Sequence, residues 1–215
     1  LFYGAGGCGV LPVTNSLIEN NTIINNEPTS SGAGGNIDAM AIEGGVSYLT
    51  FRNNKMFVNL GPFGMGIRDG IDHNLFENNY FWVNYTGYAS VAILSGAPVQ
   101  GFNPPDGNVF RNNTFVGGQA MGFMMQGQAT NTVFENNVFW GNALQSVQAS
   151  YAAGNGNYLG NAGNNTFYHN TFINSNPAAG IGPVSLVGGT GTSITTNYNN
   201  NIFVNLPSNR IFYCD

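Results

Sequence analysis

The stretch densest in groups able to move protons or hold a cation runs from Arg68 to His73, where Arg68, Asp69, Asp72 and His73 fall within six residues. Two carboxylates, a guanidinium and an imidazole so close together could do general acid–base work, abstracting a proton from a bound substrate. With Asp38 and Glu43 from an earlier segment, Asp69 and Asp72 could instead supply oxygen ligands to a calcium ion. The plainer alternatives are a hydrogen-bonded turn rich in Asp and an ion pair between Glu43 and Arg68. Which alternative holds depends on the elements that carry these residues, and the composition already restricts those.

Only 7% of the 215 residues are charged, with 5 Lys+Arg against 10 Asp+Glu. A net charge of -5 spread so thinly offers no basic face, which excludes nucleic acid as a partner. No apolar run reaches the length of a spanning helix, so no membrane span is expected. The chain begins at Leu1, which points to a processed or excerpted chain. Its 31 Gly and 35 Asn disfavour helix, while 16 Phe, 10 Tyr and 2 Trp favour strands, so short strands and turns must dominate. At 42% hydrophobic residues, disorder is no explanation.

One motif recurs seven times: IENNTI from Ile18, FRNNKM from Phe51, FENNYF from Phe76, FRNNTF from Phe110, FENNVF from Phe134, FYHNTF from Phe167 and YNNNIF from Tyr198. Its second Asn, at positions 21, 54, 79, 113, 137, 170 and 201, is separated from the next by 24 to 34 residues. A fixed motif with variable connections is the mark of a solenoid. Between the copies lie short strands ending in Gly, such as MAIEGG, MGIRDG, VAILSG and GFMMQG. The pattern predicts an all-β, single-domain parallel solenoid over residues 1–215, of about seven coils stacked about 4.8 Å apart. Ile18, Phe51, Phe76, Phe110, Phe134, Phe167 and Tyr198 should form one inward ladder. Ile23, Met56, Phe81, Phe115, Phe139, Phe172 and Phe203 should form a second, with an Asn ladder at the bend between them.

These repeats resemble those of right-handed parallel β-helix proteins, and the F-x-x-N spacing is similar to the passenger repeats of polymorphic outer-membrane and autotransporter proteins. The resemblance covers nearly the whole chain and implies architecture rather than activity, because that fold hosts pectate-lyase-like enzymes, epimerases, tailspikes, adhesins and surface-layer components. In resembling polysaccharide lyases, acidic residues hold calcium and a basic residue acts on the substrate. That implication returns to Asp38, Glu43, Arg68, Asp69, Asp72 and His73.

The residue before each Asn pair reads Glu19, Arg52, Glu77, Arg111, Glu135, Tyr168. Alternating charge one coil apart favours the correct register, and this reading is preferred to a catalytic role for Glu77 or Glu135. His169 stands in for an Asn of the ladder. Trp82 and Trp140 are strand residues that could also stack on sugar rings. Sequons occur at Asn20, Asn84, Asn112 and Asn164, of which Asn20 and Asn112 are expected to be tied up in the corner ladder.

Cys8 and Cys214 sit at opposite ends of the chain, on the order of 30 Å apart in a seven-coil stack. Three states remain open: a bond from one subunit to the next, an intramolecular bond through a folded-back tail, or free thiols. Aligned on their terminal glycines, the Gly-ended strands place Ala92, Leu94, Phe123, Met125 and Val187 on an apolar outer strip suited to a homo-oligomeric contact, end to end or lateral. The leading expectation is therefore an extracellular or cell-surface structural protein, a self-assembling subunit of a fibre, sheath or surface layer that needs no cofactor. The alternatives are a lyase-like or epimerase-like enzyme acting on polysaccharide, with or without calcium, and a glycan-binding adhesin module.

Overall fold

The computed structural model describes residues 2–3, 13–25, 38–58, 63–67, 70–83, 89–94, 105–117, 121–126, 129–140, 147–150, 163–173, 184–187, 196–204 and 212–214. Side chains are described over 13–24, 40, 42, 44–58, 65–67, 70–82, 105–116, 129–140, 163–173 and 197–204. Every strand pairing among them is parallel and joins one coil to the next. Four stacked sheets result: an eight-stranded sheet from Phe2–Tyr3 to Phe212–Cys214, a three-stranded sheet of Val13–Thr14, Val46–Ser47 and Ile71–Asp72, and two seven-stranded sheets. The seven-stranded sheets carry the two halves of each repeat, as in Leu75–Glu77 and Tyr80–Val83.

Both predicted inward ladders form, rung for rung. Phe76, Phe110, Phe134 and Phe167 are fully buried, and their rings stack at centroid spacings of 4.6, 5.1 and 4.3 Å. Phe81, Phe115, Phe139 and Phe172 do the same at 5.2, 4.8 and 4.9 Å. The separation of coils sets the ring separation, so planar side chains fill the interior without voids.

The corner between the two sheets divides its work between two residues. The first of each pair, as at Asn53, Asn78, Asn112 and Asn136, is exposed and takes a left-handed backbone with φ between 53° and 57°. The second is buried and forms the ladder. Asn113 is typical: its Oδ1 accepts from Asn79 N at 2.9 Å and Asn79 Nδ2 at 3.0 Å, and its Nδ2 donates to Phe76 O at 2.8 Å and Asn137 Oδ1 at 3.1 Å. Every hydrogen-bonding site of the amide is used, which is what makes its burial tolerable. Asn20 and Asn112 are therefore exposed corner residues, and the expectation that the ladder ties them up is corrected: Asn21 and Asn113 are its members. His169 holds the same left-handed corner at φ 56°, and its Nε2 lies 3.3 Å from Asn200 Nδ2.

A second corner lies five residues upstream of the first. Asn15, Tyr48, His73, Gly107, Asn131 and Asn164 are its left-handed residues. A shorter amide ladder runs behind it, from Leu49 N to Asn74 Oδ1 at 2.7 Å and from Asn74 N to Asn108 Oδ1 at 3.1 Å, resuming from Thr132 N to Asn165 Oδ1 at 2.9 Å.

The charge alternation also forms. Arg52 pairs with Glu19 and Arg111 with Glu77, each at 2.7 Å, and Tyr168 hydrogen-bonds Glu135. The bond to Glu77 raises the pKa of Arg111, and burial followed by the Glu135 bond raises that of Tyr168. Each carboxylate is thus used within the stack, which fits a register role for Glu77 and Glu135.

In the eight-stranded sheet the register differs from an alignment on terminal glycines. Val91 pairs with Phe123, Ala92 with Met124, Ile93 with Met125 and Leu94 with Gln126. Phe123 and Met125 thereby continue the columns of Met65 and Ile67, which are fully buried, whereas Ala92, Leu94 and Val187 belong to the alternate columns. One continuous strip of Ala92, Leu94, Phe123, Met125 and Val187 does not follow from this register; the side chains of those five lie outside the described set.

Cys214 occupies the last rung of this sheet and Phe2–Tyr3 the first. Seven steps of about 4.8 Å separate those rungs. Cys8 lies outside the described residues, as does the side chain of Cys214, so the three cysteine states stand as expectations.

Candidate functional site

The three-stranded sheet and the corner that follows it carry the densest polar chemistry of the described surface. Ser47, Asp72, Asp106, Thr130 and Gly163 are partners on successive coils. Asp72 and Asp106 thus stand one rung apart. Asp72 Oδ1 accepts the Asp106 backbone N–H at 3.1 Å. Asp106 Oδ1 accepts from Thr130 Oγ1 and Asn131 Nδ2, both at 2.6 Å. Partial burial, reinforced by the Asp106 charge, raises the pKa of Asp72 above 3.8, against opposing pulls from its hydrogen bond to Asp106 and from His73.

Beside the carboxylates, Tyr48 and His73 hold successive left-handed corners at φ 56° and 57°. The other residues of that column are Asn or Gly, the types that take this conformation at least cost. Tyr48 lacks that tolerance, and strain of this kind gathers at functional positions, whereas His enters the left-handed region more readily, as His169 does at the other corner. Their rings stack with centroids 5.6 Å apart, and both side chains are exposed. Gly107, one coil on, leaves room for the imidazole: a Cβ there would lie 3.0 Å from His73 Cδ2 and 3.1 Å from Nε2.

The site therefore unites Tyr48, Asp72, His73 and Asp106 from three coils. Asp72 and His73 were read from the sequence; Tyr48 and Asp106 were not. The signal for them lies in extending the repeat five residues upstream, which aligns Ser47-Tyr48-Leu49, Asp72-His73-Asn74 and Asp106-Gly107-Asn108. Arg68 and Asp69 lie outside the described residues, as do the side chains of Asp38 and Glu43. Of the calcium set only Asp72 has a described side chain, and among the described residues no three His, Cys, Asp or Glu side chains are grouped to hold a metal.

A family model described as a right-handed β-helix region matches residues 2–172. The chain belongs to the right-handed β-helix family. Among solved structures, this β-helix is similar to the A-module of a mannuronan C-5 epimerase from Azotobacter vinelandii, at 13% identity and a TM-score of 0.50, over 94% of this chain and 56% of that one. It also matches an alginate lyase from a Paenibacillus species at 14% identity and a TM-score of 0.37, over 81% of this chain and 77% of that one. The β-helix spans little more than half the length of the epimerase module. No curated protein sequence matches it.

Proposed function

We propose that this β-helix acts on an acidic polysaccharide by proton transfer at Tyr48, Asp72, His73 and Asp106. The observation that carries the reading is the replacement of Asn or Gly by Tyr48 and His73 at two successive left-handed corners, directly beside a stacked carboxylate pair. Removing the proton next to a uronate carboxylate needs a base at the carbon and an acid to complete elimination or to return a proton to the other face. The exposed imidazole of His73 is suited to the first task and the Tyr48 phenol to the second. Asp72, whose pKa partial burial raises, adds a second carboxyl to the site beside the imidazole. Asp106 is fixed in place by Thr130 and Asn131 on the coil after His73. The mannuronan epimerase module of similar fold is named for work on a polysaccharide of this kind, which supports the choice of substrate class. The fibre or sheath reading drew on the strip of Ala92, Leu94, Phe123, Met125 and Val187 and on Cys8 and Cys214, whose side chains all lie outside the described set.

The test is incubation with alginate and with polygalacturonate, following ultraviolet absorbance of an unsaturated product and uptake of solvent deuterium at the uronate carbon by NMR. One of the two signals is expected, slowed at least about a hundredfold in His73→Asn and in Asp106→Asn. Absence of both signals across uronate polysaccharides would overturn the reading.

A further inference from the structure

A different face carries a second pattern. In the sheet formed by the second half of each repeat, the outward residues Ile24, Phe57, Trp82, Val116, Trp140 and Ile173 are partners on successive coils. None is polar. Trp140 is 50% exposed and Ile24 60%. Phe57 packs against Trp82 at 6.2 Å and against Tyr80 at 5.8 Å. The neighbouring outward column on the same strands reads Thr22, Lys55, Tyr80, Thr114, Val138, Thr171 and Ile202, with hydroxyls at four of its seven rungs and no carboxylate.

We propose that this column is a track for a neutral, extended polysaccharide of equatorially linked pyranoses, lying along the solenoid axis. Such a chain presents apolar C–H faces bordered by hydroxyl edges, and a line of apolar side chains one residue wide beside a line of hydroxyls is complementary to it. A second copy of the protein would require a broad apolar core of roughly 800 Å² on each partner, which a single column bordered by Thr and Lys does not resemble. The spacing agrees. Trp82 and Trp140 are two rungs apart, on the order of 10 Å, and one pyranose advances an extended chain by about one rung. In a chain whose rings alternate in orientation, every second ring presents the same face, so both indoles meet equivalent faces. The single described charge of the two columns is the Lys55 ammonium, too few cations to balance a polymer with a carboxylate on every ring, so a neutral chain fits better. The track lies on another sheet from the Tyr48 and His73 corner and stands independently of the chemistry proposed there.

The test uses cello- and manno-oligosaccharides, titrated while tryptophan fluorescence is followed, together with retention in gels containing soluble β-1,4-glucan or alginate. Binding to the neutral glycan is expected, weakened about tenfold by Trp140→Ala and largely kept by Trp140→Phe, and gel retention, the readout for Trp82→Ala with Trp140→Ala because that variant has no tryptophan, should be abolished; unchanged far-ultraviolet circular dichroism shows that the variants fold. His73→Asn should bind the glycan like the parent, which separates this track from the acid–base site. Failure to bind any neutral glycan, retention unaffected by the double variant, or an ultracentrifugation dimer dissolved by Trp140→Ala would each overturn the proposal, the last assigning the column to a second copy of the chain.

Discussion

Replacing Asn113 by Ala tests how the solenoid holds its coils together. Asn113 is 1% exposed, and its side chain makes four hydrogen bonds. Truncation orphans the backbone N–H and one amide hydrogen of Asn79 and removes a donor from Phe76 O and from Asn137 Oδ1; the last still accepts from Asn113 N at 2.8 Å. At about 1–3 kcal/mol for each buried group left without a partner, and with water entering the gap to recover part, the expected cost is about 3–6 kcal/mol. That is a large share of a typical folding free energy of roughly 5–15 kcal/mol. Asn21 is the internal control, because its amide is exposed and donates to Glu19 O and Asn54 Oδ1 at 3.0 Å, where water is a ready substitute. Asn21→Ala should cost less than about 1 kcal/mol. Urea denaturation of both variants, followed by circular dichroism, measures the contrast; hydrogen exchange should show lost protection centred on the coils of Asn79, Asn113 and Asn137. If the two substitutions cost the same within about 1 kcal/mol, the amide ladder is not what secures the stack.

Three further outcomes are expected. His73→Asn should melt close to the parent temperature, because His and Asn both enter the left-handed region readily, while turnover disappears; a large fall in melting temperature would show that the imidazole itself holds the corner. Gly107→Ala should lose about 1–2 kcal/mol in thermal denaturation and shift the His73 ring resonances in NMR, since the new methyl meets the imidazole; unmoved resonances would contradict the contact. For Asp72 the native pKa lies above 3.8, so as pH rises the unfolded chain releases its proton first and stability falls across the window above that value. Asp72→Asn should therefore be more stable than the parent at neutral pH and lose that advantage below the ordinary aspartate pKa, and melts at both pH values would expose the opposite trend.

The fold was legible because its rules are local and repeated. Phe76, Phe110 and Phe134 hold identical places in identical motifs, so one alignment aligned the whole interior. The eight-stranded sheet lacks such markers: Gly96 and Gly127 offer a reference, whereas pairing puts Phe123 opposite Val91 and shifts the column by one. A shift of one residue exchanges the faces of a strand, so the apolar strip inferred from that alignment was the part most exposed to error. The candidate site was half legible. Asp72 and His73 drew attention by chemistry and proximity, but Tyr48 and Asp106 lie 25 and 33 residues from His73 in sequence and meet it only through stacking. Their positions depend on the upstream corner, which Leu49 and Thr132 interrupt and which therefore announces itself less plainly than the unbroken Asn-Asn pairs.

The amide ladder has a direction. At each rung the N–H and Nδ2 of one Asn give to the Oδ1 of the Asn in the next coil, so each coil offers acceptors to the coil before it and donors to the coil after it. A coil removed whole, or duplicated whole, rejoins donor to acceptor with no mismatch, whereas a coil inserted in reverse polarity would set like against like. The intervening connections vary by ten residues without disturbing the rungs. The amides set no intrinsic length, but the alternation of Glu19, Arg52, Glu77, Arg111 and Glu135 sets like charges together when a single coil is gained or lost, so along that stretch the rod lengthens or shortens most readily two coils at a time.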